Sequence, residues 1–371
     1  MTEVAADRSG GSIHQMRRAL ELARSGLGRT SPNPRVGAVL TRDGQVVGEG
    51  RHERAGAAHA EVSALEQAGE LARGATLWVT LEPCCHSGRT GPCTERLLAA
   101  GVTEVHVATL DPNPKVHGRG VARLRAAGVA VSVGEYQEEA TDLIREFAIW
   151  IVKGRPSVTL KFAMSLDGKV ATNLGESQWI TSKLSRARAH LLRSQHDAVM
   201  VGSGTVLADD PRLTARELPE GAQQPLRVIV DSRLRTPPSA RIFGTAGGPV
   251  VVATTDRQDA RHQAALTAVG AEVLTLPADE GRVPLSDLLQ RLGERQVTSL
   301  LVEGGPTLLG SFWEQRLGDR IAAFVAPILV GGAGAPGPLG GTGAPTLERS
   351  WRVSRLRAEP IGTDLLLTAE V

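Results

Sequence analysis

Short runs of aliphatic and β-branched residues recur throughout the 371 residues, most of them closed by Gly, Pro, Asp or Ser before a stretch with helical spacing follows. In order, "ATLWVTLEP", "EVHVATLDP", "VAVSVGE", "SVTLKFAMS", "DAVMVGS", "LRVIVDS", "PVVVATT", "AEVLTL" and "SLLVEGG" read as strands, several of them apolar enough to be buried on both faces. Strands alternating with helices define an α/β fold. The spacing of Ile13, Met16, Leu20 and Ala23 predicts an amphipathic helix from Ser12 to about Arg24, capped by Ser12. Asp43-Gly44, between two apolar stretches, predicts a hairpin. Further helices are expected over His59 to Leu71, Thr94 to Ala100, a stretch running through Ile149, and Ser182 to Arg193. Lys153 to Ser157, "KGRPS", breaks the alternation and marks a boundary between residues 12–152 and 156–371. The Gly/Pro-rich residues 331–345 are expected to form a mobile or lid-like loop.

Composition narrows the function. No apolar run approaches the roughly 18 residues a membrane span needs. Formal net charge is +2, no basic block occurs, and aromatics are 3% of the chain, which argues against the stacking and phosphate tracking of a tRNA or DNA base deaminase. Met1 to Gly11 has no apolar signal segment, so a cytoplasmic protein with reduced thiols is expected. The sequence leaves oligomeric state open, a homo-oligomer included.

All three cysteines, Cys84, Cys85 and Cys93, fall close behind His59 and Glu61. A disulfide would leave an odd thiol, so a metal accounts better for the grouping. His plus two thiolates is a recognised catalytic zinc set that leaves a fourth position for water, and His59, Cys84 and Cys93 supply it. Glu61 stands two residues after His59, the H-x-E spacing in which the glutamate is general acid and base rather than ligand. Cys93 follows Pro92 at a helix start, where backbone N–H groups favour a thiolate. Cys85 lacks such support and reads as a small buried side chain. Two alternatives stand beside this: Cys85 in place of Cys84, and a structural zinc closed by His86. His52, His86 and His117 taken singly read equally well as satisfied loop histidines.

"SPNPRVGAVL", "HAEVSAL", "VTLEPCCHSGRTGPC" and "DPNPKVHGRG" together resemble the deaminase domain of the bifunctional riboflavin-biosynthesis deaminase-reductase family. The eight residues between Cys84 and Cys93 replace the short P-C-x-x-C of other cytidine-deaminase-like enzymes, as they do in that family. The resemblance implies zinc on His59, Cys84 and Cys93, Glu61 as proton shuttle, and pyrimidine contacts near Asn33, His52 and Arg89.

The second half contains no GxGxxG, so a Rossmann site is unsupported. Gly304-Gly305 followed by Pro306 reads either as a plain strand-to-helix turn or as a phosphate-receiving helix start. "LKFAMSLDGKVAT", "GESQWIT", "GSGTVLADDPRLTAR" and "VEGGPTLLGSF" resemble, in order, the reductase half of the same family, which implies a dihydrofolate-reductase-like α/β domain after a cytidine-deaminase-like α/β/α domain. Implied NADPH contacts are Ala163, Trp179, Thr205, Asp209, Ser232, Gly305, Pro306, Thr307, Leu308, Leu309, Gly310 and Ser311. Implied substrate contacts are Ser177, Arg193, Leu213, Arg216 and Glu303, the two arginines suiting a ribose phosphate. The implied chemistry is deamination of 2,5-diamino-6-(5-phosphoribosylamino)pyrimidin-4-one by zinc-activated water. NADPH-dependent reduction to 5-amino-6-(5-phosphoribitylamino)uracil follows, with Asp209 or a water as the acid. The competing expectation is a lone deaminase regulated by a nucleotide-sensing C-terminal domain.

Overall fold

The computed structural model describes the backbone of residues 9–85, 91–218, 222–256 and 259–371, with side chains from residue 14 onward. The chain divides into two compact units, one ending at Gly154 and the other beginning at Arg155. Among the described residues no helix is long and apolar enough to cross a membrane.

The first unit runs α1 (Ser9–Arg24), β1 (Gly37–Arg42), β2 (Gln45–Arg51), α2 (Ala60–Ala68), β3 (Thr76–Leu81), α3 (Cys93–Ala100), β4 (Glu104–Thr109), α4 (Arg119–Ala126), β5 (Ala130–Val133), α5 (Gln137–Leu143) and α6 (Arg145–Lys153). Helix α1 begins three residues before the expected cap, so Ser12 lies inside it. The hairpin forms as expected, with Asp43 and Gly44 both at positive φ, 49° and 79°, as a two-residue turn between right-twisted strands requires. Five strands form one sheet in the order β2-β1-β3-β4-β5, antiparallel through β3 and parallel beyond it. Successive side chains of a strand point to opposite faces. Ala38, Leu40, Leu77 and Val79 therefore pack under α2, α3 and α4, through Ala60, Ala64, Leu97 and Leu124. Val39 and Trp78 pack under α1 and α5, through Met16, Leu20 and Leu143. The result is an α/β/α sandwich.

Two glycines of β2 determine how close α2 can come. A Cβ on Gly50 would clash with the carbonyl oxygen of Ala60, and one on Gly48 with that of Ala64. The helix thus rests directly on the strand backbone, which holds its first turn, and His59 before it, at a fixed height.

The second unit runs β6 (Ser157–Ser165), α7 (Lys183–Ser194), β7 (Ala198–Gly202), α8 (Ser203–Asp209), β8 (Leu226–Val230), α9 (Arg241–Gly244), β9 (Val250–Thr255), α10 (Ala260–Ala268), β10 (Ala271–Leu276), α11 (Leu285–Glu294), β11 (Ser299–Val302), α12 (Pro306–Glu314), β12 (Arg320–Ala326), β13 (Ser354–Ile361) and β14 (Asp364–Glu370). Helix α7 starts where expected, Ser182 accepting a bond from the Ser185 N–H. The sheet order is β10-β9-β8-β7-β11-β6-β12-β14-β13. Strands β10 through β12 are parallel, and the hairpin β13-β14 is added antiparallel. Val158, Met200, Val228 and Leu300 meet α11 and α12 on one face, while Val199, Val201, Ile229 and Val252 meet α8, α9 and α10 on the other.

From β6 the chain steps over one strand position to β7, runs outward to β10, and returns to fill the vacated place with β11. In such a sheet the carboxyl ends of the strands flanking the reversal form a crevice. The Gly/Pro-rich segment differs from its lid-like expectation. The Asp167 carboxylate accepts the N–H groups of Val330 and Gly331, Lys169 Nζ donates to Ala335 O, and Gly340 N donates to Pro306 O. Gly310 lies so close to Gly340 that a Cβ there would clash with its carbonyl oxygen. The segment is pinned along its length.

Candidate functional sites

His59 precedes α2 as its N-cap, and Cys93 opens α3. The Cys93 N–H donates to Cys84 Sγ (3.3 Å), and the Thr94 N–H to Cys84 O (3.2 Å), so α3 holds the Cys84 loop by its own unpaired donors. His59 Nδ1 lies 3.2 Å from Cys93 Sγ and 3.7 Å from Cys84 Sγ. All three donor atoms fall within 4.8 Å of one another, and among the described residues this is the group with the composition and spacing of a metal site. Ligands at 2.0–2.3 Å in a tetrahedron stand about 3.5–3.8 Å apart, so the donor set fits zinc. The Cys84 thiol is pulled well below the ordinary range by its hydrogen bond with Cys93, against the cost of burial, and further by His59. Cys85 is outside the group, and burial beside Glu82 raises its thiol instead. Glu61 is 3% exposed, and burial, reinforced by Cys84, raises its carboxyl to about 7. His86 and Arg89 lie outside the described residues.

His52 is buried with both ring nitrogens engaged: Nδ1 is 3.0 Å from Ala58 O and Nε2 3.0 Å from Asn33 Nδ2. A carbonyl only accepts and an amide nitrogen only donates, so the ring is the neutral Nδ1–H tautomer. Burial lowers its pKa accordingly. His52 Nε2 thus orients the Asn33 amide, while the Ala58 carbonyl holds the ring through Nδ1. Sequence reading missed Glu82. Its buried carboxylate accepts N–H groups from Asp111, Gly118 and Val121, which ties "DPNPKVHGRG" to the Cys84 loop. The signal was an acidic residue closing an apolar strand, where a charge must find donors.

At the carboxyl ends of β6, β7 and β11 lies a cavity of about 670 Å³. Ala163, Trp179, Thr205 and Asp209 line it, as do Ser177, Arg193, Leu213, Arg216 and Glu303. Ser177 Oγ donates to Asp209 Oδ1 (3.4 Å). Leu213 has φ 52° and buries its side chain in the core. Trp179 is 68% exposed under the Arg186 guanidinium, 4.5 Å from the ring centre. Ser232 and Pro306 to Ser311 stand apart from the cavity lining. Ser232 Oγ accepts from the Val283 N–H. Leu308 and Leu309 are core residues, while Gly305 N–H donates to Thr205 Oγ1 (3.1 Å) and Pro306 is the first residue of α12. Helix geometry leaves the first-turn N–H groups of Thr307 and Leu308 without intrahelical partners, which suits a phosphate.

Arg193 lines the cavity with its guanidinium engaged by a carboxylate and a carbonyl. Its Nε and Nη2 donate to Glu303 Oε1 (2.6 Å) and Oε2 (2.9 Å), and its Nη1 donates to Thr214 O (3.0 Å). Lys161 Nζ, which sequence reading missed, reaches Glu303 Oε2 at 3.5 Å. Burial alone would raise the Glu303 carboxyl, but Arg193 and Lys161 outweigh it and hold it at about 2.

A histidine-dithiol cluster on one unit and a polar crevice at a strand reversal on the other are the sites a deaminase joined to a reductase would carry. Known proteins agree. Residues 12–109 match the cytidine and deoxycytidylate deaminase zinc-binding region, and residues 156–367 match the RibD C-terminal domain, whose fold is dihydrofolate-reductase-like. The riboflavin biosynthesis protein RibD of Aquifex aeolicus is 46% identical over 352 residues, 95% of this chain and 96% of its own. Among solved structures, RibD of Acinetobacter baumannii is 40% identical with a TM-score of 0.86, covering 97% of this chain and 99% of its own. A Thermotoga maritima diaminohydroxyphosphoribosylaminopyrimidine deaminase/5-amino-6-(5-phosphoribosylamino)uracil reductase is 35% identical with a TM-score of 0.84 over the same shares. The chain belongs to the RibD family.

Proposed function

We propose that residues 12–152 deaminate a phosphoribosylaminopyrimidine and that residues 156–371 reduce its ribosyl group to ribityl, with the individual residue roles given below. The chain is a bifunctional deaminase-reductase of riboflavin biosynthesis, using zinc and NADPH. The observation that carries the residue assignment is the convergence of His59, Cys84 and Cys93 beside the buried Glu61.

His59, Cys84 and Cys93 would hold zinc, which supplies a water of lowered pKa. Glu61, with its carboxyl raised by burial, exchanges protons near neutrality: it takes one from the attacking water and gives one to the departing amine. Asn33 and His52, hydrogen-bonded to each other, would meet the pyrimidine, with His52 Nε2 orienting the Asn33 amide.

In the second unit NADPH supplies the hydride. The first turn of α12 and Thr205 would receive the cofactor's phosphates, and Ala163, Trp179, Asp209 and Ser232 would complete its site. Ser177, Arg193, Leu213, Arg216 and Glu303 would line the substrate side, Arg193 and Glu303 paired with each other. The substrate is 2,5-diamino-6-(5-phosphoribosylamino)pyrimidin-4-one, and a cytoplasmic location suits thiolate ligands kept reduced. Anaerobic turnover with and without NADPH, following ammonia and cofactor oxidation separately, tests the scheme. Ammonia release independent of NADPH, then oxidation of NADPH only after deamination, is the expected result; NADPH oxidation without prior ammonia release would overturn the order.

A further inference from the structure

We propose that His190 is a positioning residue that holds Arg216 toward the substrate's phosphate. The proposal rests on the reading of this cavity as the reductase site. His190 stands on α7 with both ring nitrogens engaged: Nδ1 is 3.1 Å from Thr214 O, and Nε2 is 3.0 Å from Arg216 Nη2. The carbonyl can only accept and the guanidinium can only donate, so one neutral tautomer satisfies both, with the proton on Nδ1 and the lone pair of Nε2 toward Arg216.

The two arginines of the cavity are therefore not equivalent. Arg193 has its fork on Glu303 and its remaining terminal nitrogen on Thr214 O. Arg216 is exposed and, among the described residues, has no carboxylate within ion-pair distance. Its side chain keeps N–H groups free after His190 takes one, because a guanidinium carries five. Burial and the neighbouring Arg193, Arg212 and Arg241 charges all work against its own charge, with Glu217 opposing them. A phosphate dianion would relieve that crowding, and a bidentate contact matches the fork. A protonated His190 could not accept from Arg216. Its surroundings keep it neutral: burial, Arg193 and Arg216 disfavour the charged ring, and only the Thr214 carbonyl and Glu303 favour it.

The test uses the full chain and compares KM for the ribosyl phosphate substrate with KM for its dephosphorylated counterpart, in wild type, His190→Phe, His190→Gln, Arg216→Ala and the double variant His190→Phe/Arg216→Ala. KM for NADPH and the thermal midpoint of the reductase unit serve as the folding controls. Loss of a hydrogen bond to a charged group predicts a rise of about tenfold in KM for the phosphorylated substrate in His190→Phe, little change for the dephosphorylated one, and no further rise when His190→Phe is added to Arg216→Ala. His190→Gln, whose amide oxygen can accept from Arg216, should recover part of the loss. Equal rises for both substrates, or a full additional rise on the Arg216→Ala background, would overturn the proposal. Nitrogen-15 spectra of the histidines give an independent readout: a proton on Nε2 of His190 would also overturn it. If the wild type oxidises NADPH with neither substrate, the reductase reading has failed, and the proposal falls with it.

Discussion

Arg193 and Glu303 face each other through two parallel N–H···O bonds although 110 residues separate them in the chain. Removing the guanidinium leaves a buried carboxylate with Lys161 as its remaining charged partner. Arg193→Ala should therefore cost about 3 kcal/mol of stability, the lower end for breaking a buried pair. The Glu303 carboxyl is depressed from 4.5 to about 2 on folding, so its contribution is present above pH 4.5 and is lost as pH falls toward 2. Urea midpoints of wild type and Glu303→Gln should converge between pH 5 and pH 2; a gap that widens on acidification would contradict the pairing.

Zinc content should separate the cysteines. Cys84→Ser and Cys93→Ser are expected to lose the metal and Cys85→Ser to keep it, since Cys85 lies outside the donor cluster. Metal analysis of the purified variants decides, and zinc loss confined to Cys85→Ser would overturn the ligand set.

Glu61→Gln should retain zinc and lose most ammonia release, because an amide cannot shuttle a proton. NADPH oxidation with the already deaminated substrate should be unaffected. Near-normal deamination at matched zinc content would remove Glu61 from its role.

A fragment beginning at Arg155 should fold, bind NADPH and reduce the deaminated substrate without zinc. Arg155 belongs in it: its guanidinium donates to both Asp319 oxygens, at 2.6 and 2.8 Å, and Asp319 Oδ2 also accepts the Val158 N–H at the start of β6. A fragment starting at Ser157 should be less stable by about 1.5–3 kcal/mol, the worth of hydrogen bonds to a charged group. Equal thermal midpoints for the two fragments would show that the pair contributes nothing.

The metal cluster was legible because thiolates and imidazole are rare, chemically specific and close together in the chain. Strands such as β7 were legible because a short apolar run bounded by turn residues suits a strand buried on both faces. Lys161 was not, since within "SVTLKFAMS" a single lysine reads as an interruption of a strand until β11 brings Glu303 beside it. Arg193 shows the same limit from the opposite side: its chemistry suits phosphate, and that it also meets Glu303, 110 residues away in the chain, no local pattern reveals. The pinning of residues 331–345 depends likewise on Asp167, far away in sequence. Strand β13 escaped because nearly all its residues are exposed, leaving no apolar alternation to detect.

Gly48 and Gly50 contribute no side chain to either site, yet they act as a spacer of zero thickness beneath α2. A single methyl group at Gly50 would lift the helix from the strand, and His59 and Glu61 would rise with it while Cys84 and Cys93, carried by a different helix and loop, stayed in place. The metal centre's dimensions are thus inherited from a strand that never touches it, and the tolerance of that strand to substitution is the tolerance of a coordination sphere.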